Sequence, residues 1–485
     1  MLTKHPKSHL THALNHVTHK AIRWCTPSID LTFAQVKNPY ASDTSSSFET
    51  LGYASDPSGL FKQTYDHAAK AYGADHTLFS VNGSTGSNFM VLRALSKQVP
   101  NLRILSQRNV HRSIVAACED YGIHLNFLDP NIDQKHQLFL PNTIDQICEG
   151  IEKTKPHVLL IINPTYEGMC LDLMSVVATV RLKFPDLIVF VDEAWGAHLH
   201  FSEKLPACAM DAGADICVQS THKQGGSLQQ SGMIHWREGR INNDLLIESY
   251  RTLGTSSPSY VLLASLDAAR ETMQKKGRKK LEHMLIIAQR LCKEINRIAD
   301  FEVVSNDYHK QNHVSVYERD LTKVLVDVTR SGLNGFEVAN ILESKYNIVV
   351  EAYNLKTILL LVPFRATMFD VQATADALRN IQKKNKKTLD ESAQDIKIPT
   401  SIPRILELNE VSKLLLTQIE KVPLVDAIDR IAAEHITPFP PGIPMTIKGE
   451  ALTQEIVEYY VRLKSYKNVH IAARDKSMEY VWVVK

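Results

Sequence analysis

The sequence lacks several features that would assign it to other classes of protein. It has no Cys-x-x-Cys pair, and its 7 cysteines are scattered along 485 residues, which excludes a zinc ribbon and fits reduced, mostly buried thiols. No run approaches the roughly 20 apolar residues of a membrane span, and the first residues lack the apolar core of a signal peptide. We therefore expect a cytoplasmic protein with no membrane partner.

The chain also lacks an excess of charge of either sign. Its 55 Lys and Arg residues balance 53 Asp and Glu residues, for a formal net charge of +2. This balance gives no electrostatic reason to expect nucleic acid as a partner, so a small molecule is favoured. The 44% hydrophobic content is enough for a large core, and the length suggests several domains.

Short apolar runs alternate with helical patterns between about residues 75 and 235. These runs occupy 76–81, 102–107, 157–163, 187–193 and 214–220. The alternation predicts an α/β fold with a mainly parallel sheet, and the nearly continuous apolar character indicates that both faces are covered. Ligands of such sheets gather at the carboxyl ends of the strands, so the polar residues after each run are the first candidates for chemistry.

The rest of the chain predicts a second unit and a C-terminal piece. A long helix over 261–298, interrupted near Gly277, leads to strand-like runs at 301–305, 322–328 and 357–362 with a helix near 335–346. The polar stretch 382–400 is typical of a linker. We predict an N-terminal segment (1–50), a major domain (51–298), a small α/β domain (299–385) and a C-terminal domain (386–485).

A first candidate site lies in segment 81–95, where a strand leads into Gly83-Ser84-Thr85-Gly86 and then into a helix. The backbone N–H groups and the dipole of a helix N-terminus favour a phosphate, and the two hydroxyls add donors. The same pattern is also typical of an ordinary strand-to-helix turn with a Ser or Thr cap.

A second candidate is Asp192, which ends the apolar run 187–193. A buried carboxylate needs a partner, and a cationic ring nitrogen would supply one; backbone donors or an arginine would serve equally. His198 and His200 follow closely and offer a metal site as an alternative. No further ligand motif accompanies them, so we assign no metal.

The third candidate is Lys223, which a strand delivers together with Ser220 and His222 to a glycine-rich loop. A lysine in a partly dry pocket near another cation has a lowered pKa and becomes a nucleophile toward an aldehyde. A phosphate-binding turn, an acid at a strand end and a lysine one strand later are what a pyridoxal-phosphate site requires.

These segments resemble the ornithine/lysine/arginine decarboxylase family of fold-type I pyridoxal-phosphate enzymes, in a short form without the N-terminal wing domain. Further family-like motifs occupy 106–117, 162–173, 254–270 and 439–450. The resemblance implies an aspartate aminotransferase-like large domain with a mainly parallel, seven-stranded type of sheet, followed by a small α/β domain and a C-terminal domain. Trp195 stands where the family usually has histidine, and ETLGYASDP (49–57) replaces an acid-rich segment.

Residue by residue, the resemblance implies that Lys223 carries pyridoxal 5'-phosphate as a Schiff base, that Asp192 pairs with the pyridine nitrogen and that His111 stacks on the ring. Ala194 would lie against the opposite ring face. Thr255 and Ser256 would reach the cofactor of a neighbouring subunit. The phosphate would be held by Ser84, Thr85, Gly86, Ser220 and His222.

The implied function is decarboxylation of a basic amino acid, with Lys223, Asp192, His111 and His222 as the catalytic residues. Either His222 or Lys223 would protonate the α-carbon. The resemblance also implies polyamine biosynthesis and a homodimer with shared active sites, or a tetramer. Arginine, lysine and ornithine all stay open as substrates, because the acid that receives the distal cation is not fixed. The candidates are Glu351, Asp56 and Glu450.

Other functions stay open at this stage. The same cofactor and residues serve aminotransferases, aldolases and oxidative enzymes, and a catalytically silent homologue that regulates an active relative is a further alternative. The N-terminal histidines follow 4-3-4-3 spacing, which on a helix would place them on one face as a metal stripe or a packing surface. They are His5, His9, His12, His16 and His19.

Overall fold

The computed structural model describes residues 21–29, 42–305, 307, 315–385, 397–400, 402–439, 442–466 and 469–485. Its α-helices are α1 (Gly59–Tyr72), α2 (Gly83–Gln98), α3 (Arg112–Tyr121), α4 (Ile144–Thr154), α5 (Leu173–Lys183), α6 (Thr221–Gln224), α7 (Asn243–Leu253), α8 (Tyr260–Ile295), α9 (Gly335–Tyr346), α10 (Met368–Lys384), α11 (Leu408–Ser412) and α12 (Gln454–Leu463).

The strands alternate with these helices through the first part of the chain. They are β1 (Ile22–Trp24), β2 (His76–Ser80), β3 (Arg103–Ser106), β4 (His124–Phe127), β5 (Asn131–Asp133), β6 (Leu138–Leu140), β7 (Val158–Ile162), β8 (Met169–Cys170), β9 (Ile188–Asp192), β10 (Ile216–Gln219), β11 (Gly232–Trp236), β12 (Glu302–Val303), β13 (Glu318–Arg319), β14 (Lys323–Asp327), β15 (Ile348–Val350), β16 (Ala352–Tyr353), β17 (Thr357–Leu361), β18 (Ile419–Pro423), β19 (Thr437–Phe439), β20 (His470–Ala472) and β21 (Tyr480–Val484).

The central sheet has seven strands in the order β2-β11-β10-β9-β7-β3-β4. Its neighbours pair in parallel except around β11, which is antiparallel to both β10 and β2. The predicted α/β fold with a mainly parallel sheet is therefore confirmed. Asp192, the last residue of β9, stands level with Ile162 on one side and Val218 on the other, so its carboxylate lies at the carboxyl edge of the sheet.

Both faces of the sheet are covered, as the apolar runs predict. Along β9, Ile188 and Phe190 belong to one buried cluster, whereas Val189 and Val191 belong to the other. This alternation follows from the two-residue period of a strand. Because Asp192 continues the series of Ile188 and Phe190, the following residue turns toward the opposite face of the sheet.

The predicted interruption of the long helix near Gly277 is wrong. Helix α8 runs unbroken for 36 residues, and Gly277 is buried within it. A Cβ at this position would lie 3.1 Å from the Cβ of Phe201 and 3.4 Å from the terminal methyl of Met273. The glycine therefore serves close packing of α8 against the segment around Phe201, which outweighs its weak helix propensity.

The second unit contains the four-stranded sheet β12-β14-β17-β16, which is antiparallel and packs with α8 and α9. The N-terminal strand β1 joins this unit, because it pairs in parallel with β15. A few residues later the N–H of Ser28 donates to the backbone oxygen of Lys223 at 2.9 Å. The segment 22–28 thus spans from the smaller unit to the edge of the large sheet.

The last part of the chain forms a further apolar cluster together with Phe139 of β6; it includes Leu424, Ile436, Ile456, Tyr460 and Val481. The domain boundaries proposed from the sequence stay a prediction, and most of the linker 382–400 lies outside the described residues, as do the five N-terminal histidines. All seven cysteines are free thiols. Among the described helices, none is long and apolar enough to span a bilayer.

Candidate active site

Lys223 stands in the short helix α6, directly after strand β10. Its Nζ lies 3.7 Å from the centre of the Trp195 ring, and the Nζ of Lys323 lies 4.3 Å from the same ring. Burial lowers the pKa of Lys223 to about 7; the Asp192 carboxylate opposes this effect and the charge of Lys323 adds to it. A substantial fraction of this amine is therefore neutral and nucleophilic near neutral pH.

Asp192 is buried and accepts two hydrogen bonds. The backbone N–H of Ala194 donates to Oδ1 at 3.1 Å, and the Nδ2 of Asn88 donates to Oδ2 at 3.1 Å. Burial raises the pKa of the Asp192 carboxyl, whereas the positive charge of Lys223 and the two donors act in the opposite direction. Asp192 thus has the backbone hydrogen bond that a structural carboxylate would have, and it also interacts with the charge of Lys223.

The predicted phosphate turn forms the N-terminus of α2. The side chain of Asn82, the residue before this helix, makes no capping hydrogen bond, so it leaves the first-turn N–H groups to other acceptors. The Oγ of Ser220 donates to the Oγ of Ser84 at 2.6 Å, which joins the turn to the loop that carries Lys223. Thr85 is exposed, and Gly86 packs so tightly that a Cβ would lie 2.4 Å from that of Asn82.

His222 lies beside the same turn. Its Cε1 is 3.7 Å from the place where a Cβ of Gly83 would stand, and its Nδ1 is 2.6 Å from the backbone oxygen of Ser231. Burial lowers the pKa of His222 to about 4; the contact with Ser231 opposes this effect, and the charge of Lys223 adds a smaller lowering effect. The imidazole is therefore neutral at pH 7, with the hydrogen on Nδ1 and a lone pair on Nε2.

His111 precedes helix α3 and caps it, because its Nδ1 accepts from the N–H of Ser113 at 3.2 Å and contacts the Oγ of Ser113 at 2.8 Å. The residue is otherwise exposed, so a ring face is open to a ligand. Although His111 keeps solvent-accessible surface, the surrounding protein atoms desolvate its ring and lower the pKa of His111 to about 4, and the charges of Lys223 and Arg112 act in the same direction.

Ala194 is buried in a small cluster with Trp195 and Leu361, against which Tyr166 packs. The rings of Tyr166 and Trp195 meet edge to face with centres 4.6 Å apart. This cluster forms an apolar wall directly after Asp192, on the strand end that faces Lys223. Thr255 and Ser256 are both exposed, and the recess that they line includes Asn82 at the start of the phosphate turn but neither Lys223 nor Asp192.

Of the three acids considered for the distal cation, Glu351 lies at this site. Its Oε1 accepts from the hydroxyl of Tyr166 at 3.2 Å, its Oε2 accepts from the N–H of Thr26 at 2.6 Å, and its charge interacts with Lys223. Glu450 forms a buried ion pair with Arg108 at 3.1 Å instead.

Asp56 is exposed, and its Oδ2 accepts from the Oγ of Ser58. The alternative in which His198 and His200 share a metal is not supported by their surroundings. His198 pairs with the buried carboxylate of Asp320 at 3.2 Å, whereas His200 pairs with Asp211 at 2.9 Å.

Several residues of this site were not identified from the sequence. Asn88 lies in the segment 81–95 and Tyr166 in the segment 162–173, which both pointed to the site. Their positions in these segments were signals from which both residues could have been found. Lys323 begins a strand of the smaller unit, and its amine donates to the backbone oxygen of Tyr166 at 3.0 Å. Thr221 carries a buried hydroxyl oxygen without a hydrogen-bond partner among the described residues.

The fold is that of solved lysine decarboxylases. A lysine decarboxylase from Francisella novicida aligns with a TM-score of 0.78 over 94% of this chain and 76% of its own, at 20% identity. Lysine decarboxylase A from Pseudomonas aeruginosa aligns with a TM-score of 0.78 over 98% of this chain and 80% of its own, also at 20% identity. At that identity the likeness establishes the architecture alone.

Sequence comparison identifies the family. Residues 32–369 match the model "Orn/Lys/Arg decarboxylase, major domain", and residues 403–470 match "Orn/Lys/Arg decarboxylase, C-terminal domain". A protein named arginine decarboxylase from Bacillus subtilis is 36% identical over 405 residues, which cover 83% of this chain and 81% of that protein. The chain belongs to the Orn/Lys/Arg decarboxylase family. The predictions of this family, of its fold and of an amino-acid decarboxylase acting on a basic amino acid are confirmed.

Proposed function

We propose that this protein decarboxylates arginine, with pyridoxal 5'-phosphate as its cofactor and Lys223 as the residue that binds it covalently. The observation that carries the proposal is the buried amine of Lys223, whose pKa is lowered to about 7, at the same sheet edge as the Asp192 carboxylate. An amine of this kind reacts with aldehydes at neutral pH, whereas an ordinary surface lysine is almost fully protonated there.

The residues around Lys223 fit this cofactor. The α2 N-terminus offers first-turn N–H groups that Asn82 does not cap, and Ser220 contacts the Oγ of Ser84 there; Thr221, the next residue in the chain, has a buried hydroxyl oxygen without a described partner. A Cβ on Gly232 would lie 3.3 Å from the backbone nitrogen of Ser84, so glycine keeps this turn clear. A phosphate bound here would be held by Ser84, Thr85, Gly86, Thr221, Ser220 and His222.

The cofactor, when bound, withdraws the electron pair that the departing carbon dioxide leaves on the α-carbon. The protein's part is to place charges and exclude water. Asp192, with its charge facing a protonated ring nitrogen, would keep that nitrogen cationic. Ala194 and His111 would enclose the two ring faces, and the Trp195 ring against the amine of Lys223 keeps water from this side of the site.

Lys223 is the better donor of the α-carbon proton. The Nδ1 of His222 is engaged with the backbone oxygen of Ser231, and its pKa of about 4 leaves the Nε2 without a proton at neutral pH. The amine of Lys223, with a pKa of about 7, holds and releases a proton in the working range. We therefore assign the final protonation to the Nζ of Lys223.

Arginine is favoured over the other basic amino acids. Relatives named arginine decarboxylase from Bacillus subtilis and Bacillus anthracis are 36% and 35% identical to this chain, whereas a protein named lysine decarboxylase LdcA from Pseudomonas aeruginosa is 26% identical over 261 residues. A guanidinium forms two parallel hydrogen bonds with one carboxylate. Glu351, held by Tyr166 and Thr26, would receive it.

We further propose a cytoplasmic homodimer that serves polyamine biosynthesis. Thr255 and Ser256 are exposed near the N-terminus of α2, in a recess that also includes Asn82 and Val81. In a dimer their hydroxyls would reach the cofactor phosphate of the neighbouring subunit. Size measurement of the purified protein and of a Thr255→Asp variant tests this arrangement, and a wild-type monomer with full activity would contradict it.

The function is tested by incubating the purified protein with pyridoxal phosphate and, separately, arginine, lysine and ornithine. Carbon dioxide and the corresponding amine are measured, together with keto acid and peroxide. We expect equal amounts of carbon dioxide and amine, with the highest kcat/KM on arginine. Keto acid or peroxide without amine would show an aminotransferase or an oxidative enzyme, and no product with any substrate would favour a silent regulatory homologue.

A further inference from the structure

Three potential metal ligands of different chemical types meet on the far side of strand β9 from Asp192. They are the Nδ1 of His200, the Sγ of Cys208 and the carboxylate of Asp211, and their ligand atoms all lie within 4.8 Å of one another. Nδ1 is 2.9 Å from one carboxylate oxygen and 3.7 Å from Sγ. In a tetrahedral zinc site, bonds of roughly 2.0–2.3 Å place ligand atoms about 3.3–3.8 Å apart.

The three side chains are held by neighbouring structure rather than by one another alone. His200 belongs to a 3-10 turn (Leu199–Phe201), and its ring stacks on that of Tyr72, with the two ring centres 6.4 Å apart. Cys208 is buried, and the N–H of Asp211 donates to its Sγ at 3.4 Å. Backbone donors to a sulfur are a common supporting contact of metal-bound thiolates.

The cluster is closed on its inner side and open on its outer side. Cys208 is 1% exposed, whereas the side chains of His200 and Asp211 are 24% and 42% exposed. A fourth position is therefore accessible to water or to an external ligand. The chain between the ligands is anchored as well, because the N–H of Ala209 donates to the Oε1 of the buried Glu193 at 2.7 Å.

We propose that His200, Cys208 and Asp211 bind a divalent cation of the zinc type, with a solvent molecule as fourth ligand. One nitrogen, one sulfur and one oxygen ligand suit Zn²⁺ better than Mg²⁺ or Ca²⁺, which take oxygen ligands almost alone. The ion would tie the 3-10 turn at 199–201 to the segment 208–211. Through Ala209 and Glu193 it would brace the end of strand β9, on the face opposite to the decarboxylase site.

Cadmium titration of the full-length protein tests this site. Cd²⁺ replaces Zn²⁺ at such ligands, and its bond to a thiolate gives an ultraviolet charge-transfer band that histidine and carboxylate ligands alone do not produce. The N-terminal histidines therefore cannot imitate the signal. We expect one band per chain at saturation, displaced by added Zn²⁺, and a rise of Tm with Zn²⁺ because the ion binds the native state.

Variants assign the band to its ligands. Cys208→Ser removes the band, and His200→Ala or Asp211→Asn weakens Cd²⁺ binding by roughly tenfold or more. Cys148→Ser, a buried thiol on α4, is the matched control and keeps the band. Asp211 is exposed, so its variant remains informative if the substitution of the buried Cys208 disturbs folding. No band in the wild type, or unchanged affinity in both the His200 and Asp211 variants, overturns the proposal.

Discussion

The amine of Lys223 lies 3.7 Å from the centre of the Trp195 ring. This contact joins the residue proposed to bind the cofactor to the small apolar cluster that follows Asp192. The face of the Trp195 ring attracts the protonated amine. The same ring excludes water, which favours the neutral amine. Lys323, on the same ring, adds a second positive charge nearby.

The first prediction concerns Lys223 itself. Lys223→Ala removes the only atom proposed to bond the cofactor covalently, and we expect loss of turnover together with loss of the visible absorbance of bound pyridoxal phosphate. Circular dichroism shows whether the variant is folded. A folded variant that keeps both turnover and absorbance would remove Lys223 from its proposed role.

The second prediction follows from the charge of Lys323. Because burial and this charge lower the pKa of Lys223 to about 7, the rate at which the cofactor-free enzyme combines with pyridoxal phosphate increases with pH around a midpoint near 7. Lys323→Met removes one lowering influence, so the midpoint moves to higher pH. Stopped-flow absorbance, recorded across the pH range, measures this midpoint.

A matched control for this experiment is Lys204→Met. Lys204 is 65% exposed and pairs with Glu282 at the surface, so its removal leaves the midpoint unchanged. A midpoint that shifts equally in both variants, or that moves downward in Lys323→Met, would contradict the proposed coupling.

The third prediction compares two adjacent acids, Asp192 and Glu193. Asp192→Asn removes a charge proposed to stabilise the cationic ring, and we expect kcat to fall roughly 100- to 1,000-fold. Burial raises the pKa of Glu193 to about 8, so this side chain is largely protonated at neutral pH, and Glu193→Gln preserves its charge state. The control variant should retain most of the activity. Steady-state kinetics at pH 7 measures kcat of both variants, and equal losses of kcat would argue against the role of Asp192.

The fourth prediction concerns substrate recognition by Glu351. Glu351→Gln keeps the size of the side chain but removes its charge, so KM for arginine rises roughly 10- to 100-fold while the bound cofactor keeps its absorbance. Glu450→Gln is the contrasting variant. Glu450 pairs with Arg108 in the interior, so its substitution lowers Tm and leaves KM unchanged. An unchanged KM in Glu351→Gln would place the distal cation elsewhere.

The sequence was sufficient to predict the central sheet and the order in which the phosphate turn, Asp192 and Lys223 follow one another. Apolar runs mark buried strands, and the polar residues after them, Asp192 and Lys223, lie at one sheet edge because parallel strands share their carboxyl ends. Gly277 was misjudged because helix propensity is local, whereas the packing of Phe201 against that glycine is a tertiary contact.

Contacts between distant parts of the chain were beyond sequence reasoning. Lys323 reaches Trp195 across 128 positions of the chain, and Glu351 receives a hydrogen bond from Thr26 across 325. No local pattern marks such partners. The same applies to His200, whose neighbour His198 suggested a shared metal until the two side chains were seen to pair with different carboxylates.

The last prediction concerns stability at low pH and rests on Glu119, which links α3 to the C-terminal part of the chain. Its carboxylate accepts from the Nζ of Lys448 at 2.5 Å and contacts the Nε2 of His435 at 2.8 Å. Although burial opposes ionisation, hydrogen bonds from His435, Lys448 and Ser412 lower the pKa of Glu119 to about 2. Glu119→Gln should reduce the free energy of unfolding by about 1.5–3 kcal/mol at neutral pH.

This contribution has a defined pH dependence. In the unfolded chain Glu119 takes up its proton near its ordinary pKa of 4.5, whereas in the native protein it does so near 2, so the stabilisation is present above about 4.5 and is lost as the pH falls toward 2. Denaturant unfolding of wild type and Glu119→Gln at decreasing pH should therefore give curves that converge. Glu149→Gln, an exposed acid on α4, is the control and should match the wild type throughout. A difference that stays constant below pH 4.5 would show that the substitution acts through packing and not through the ionised carboxylate.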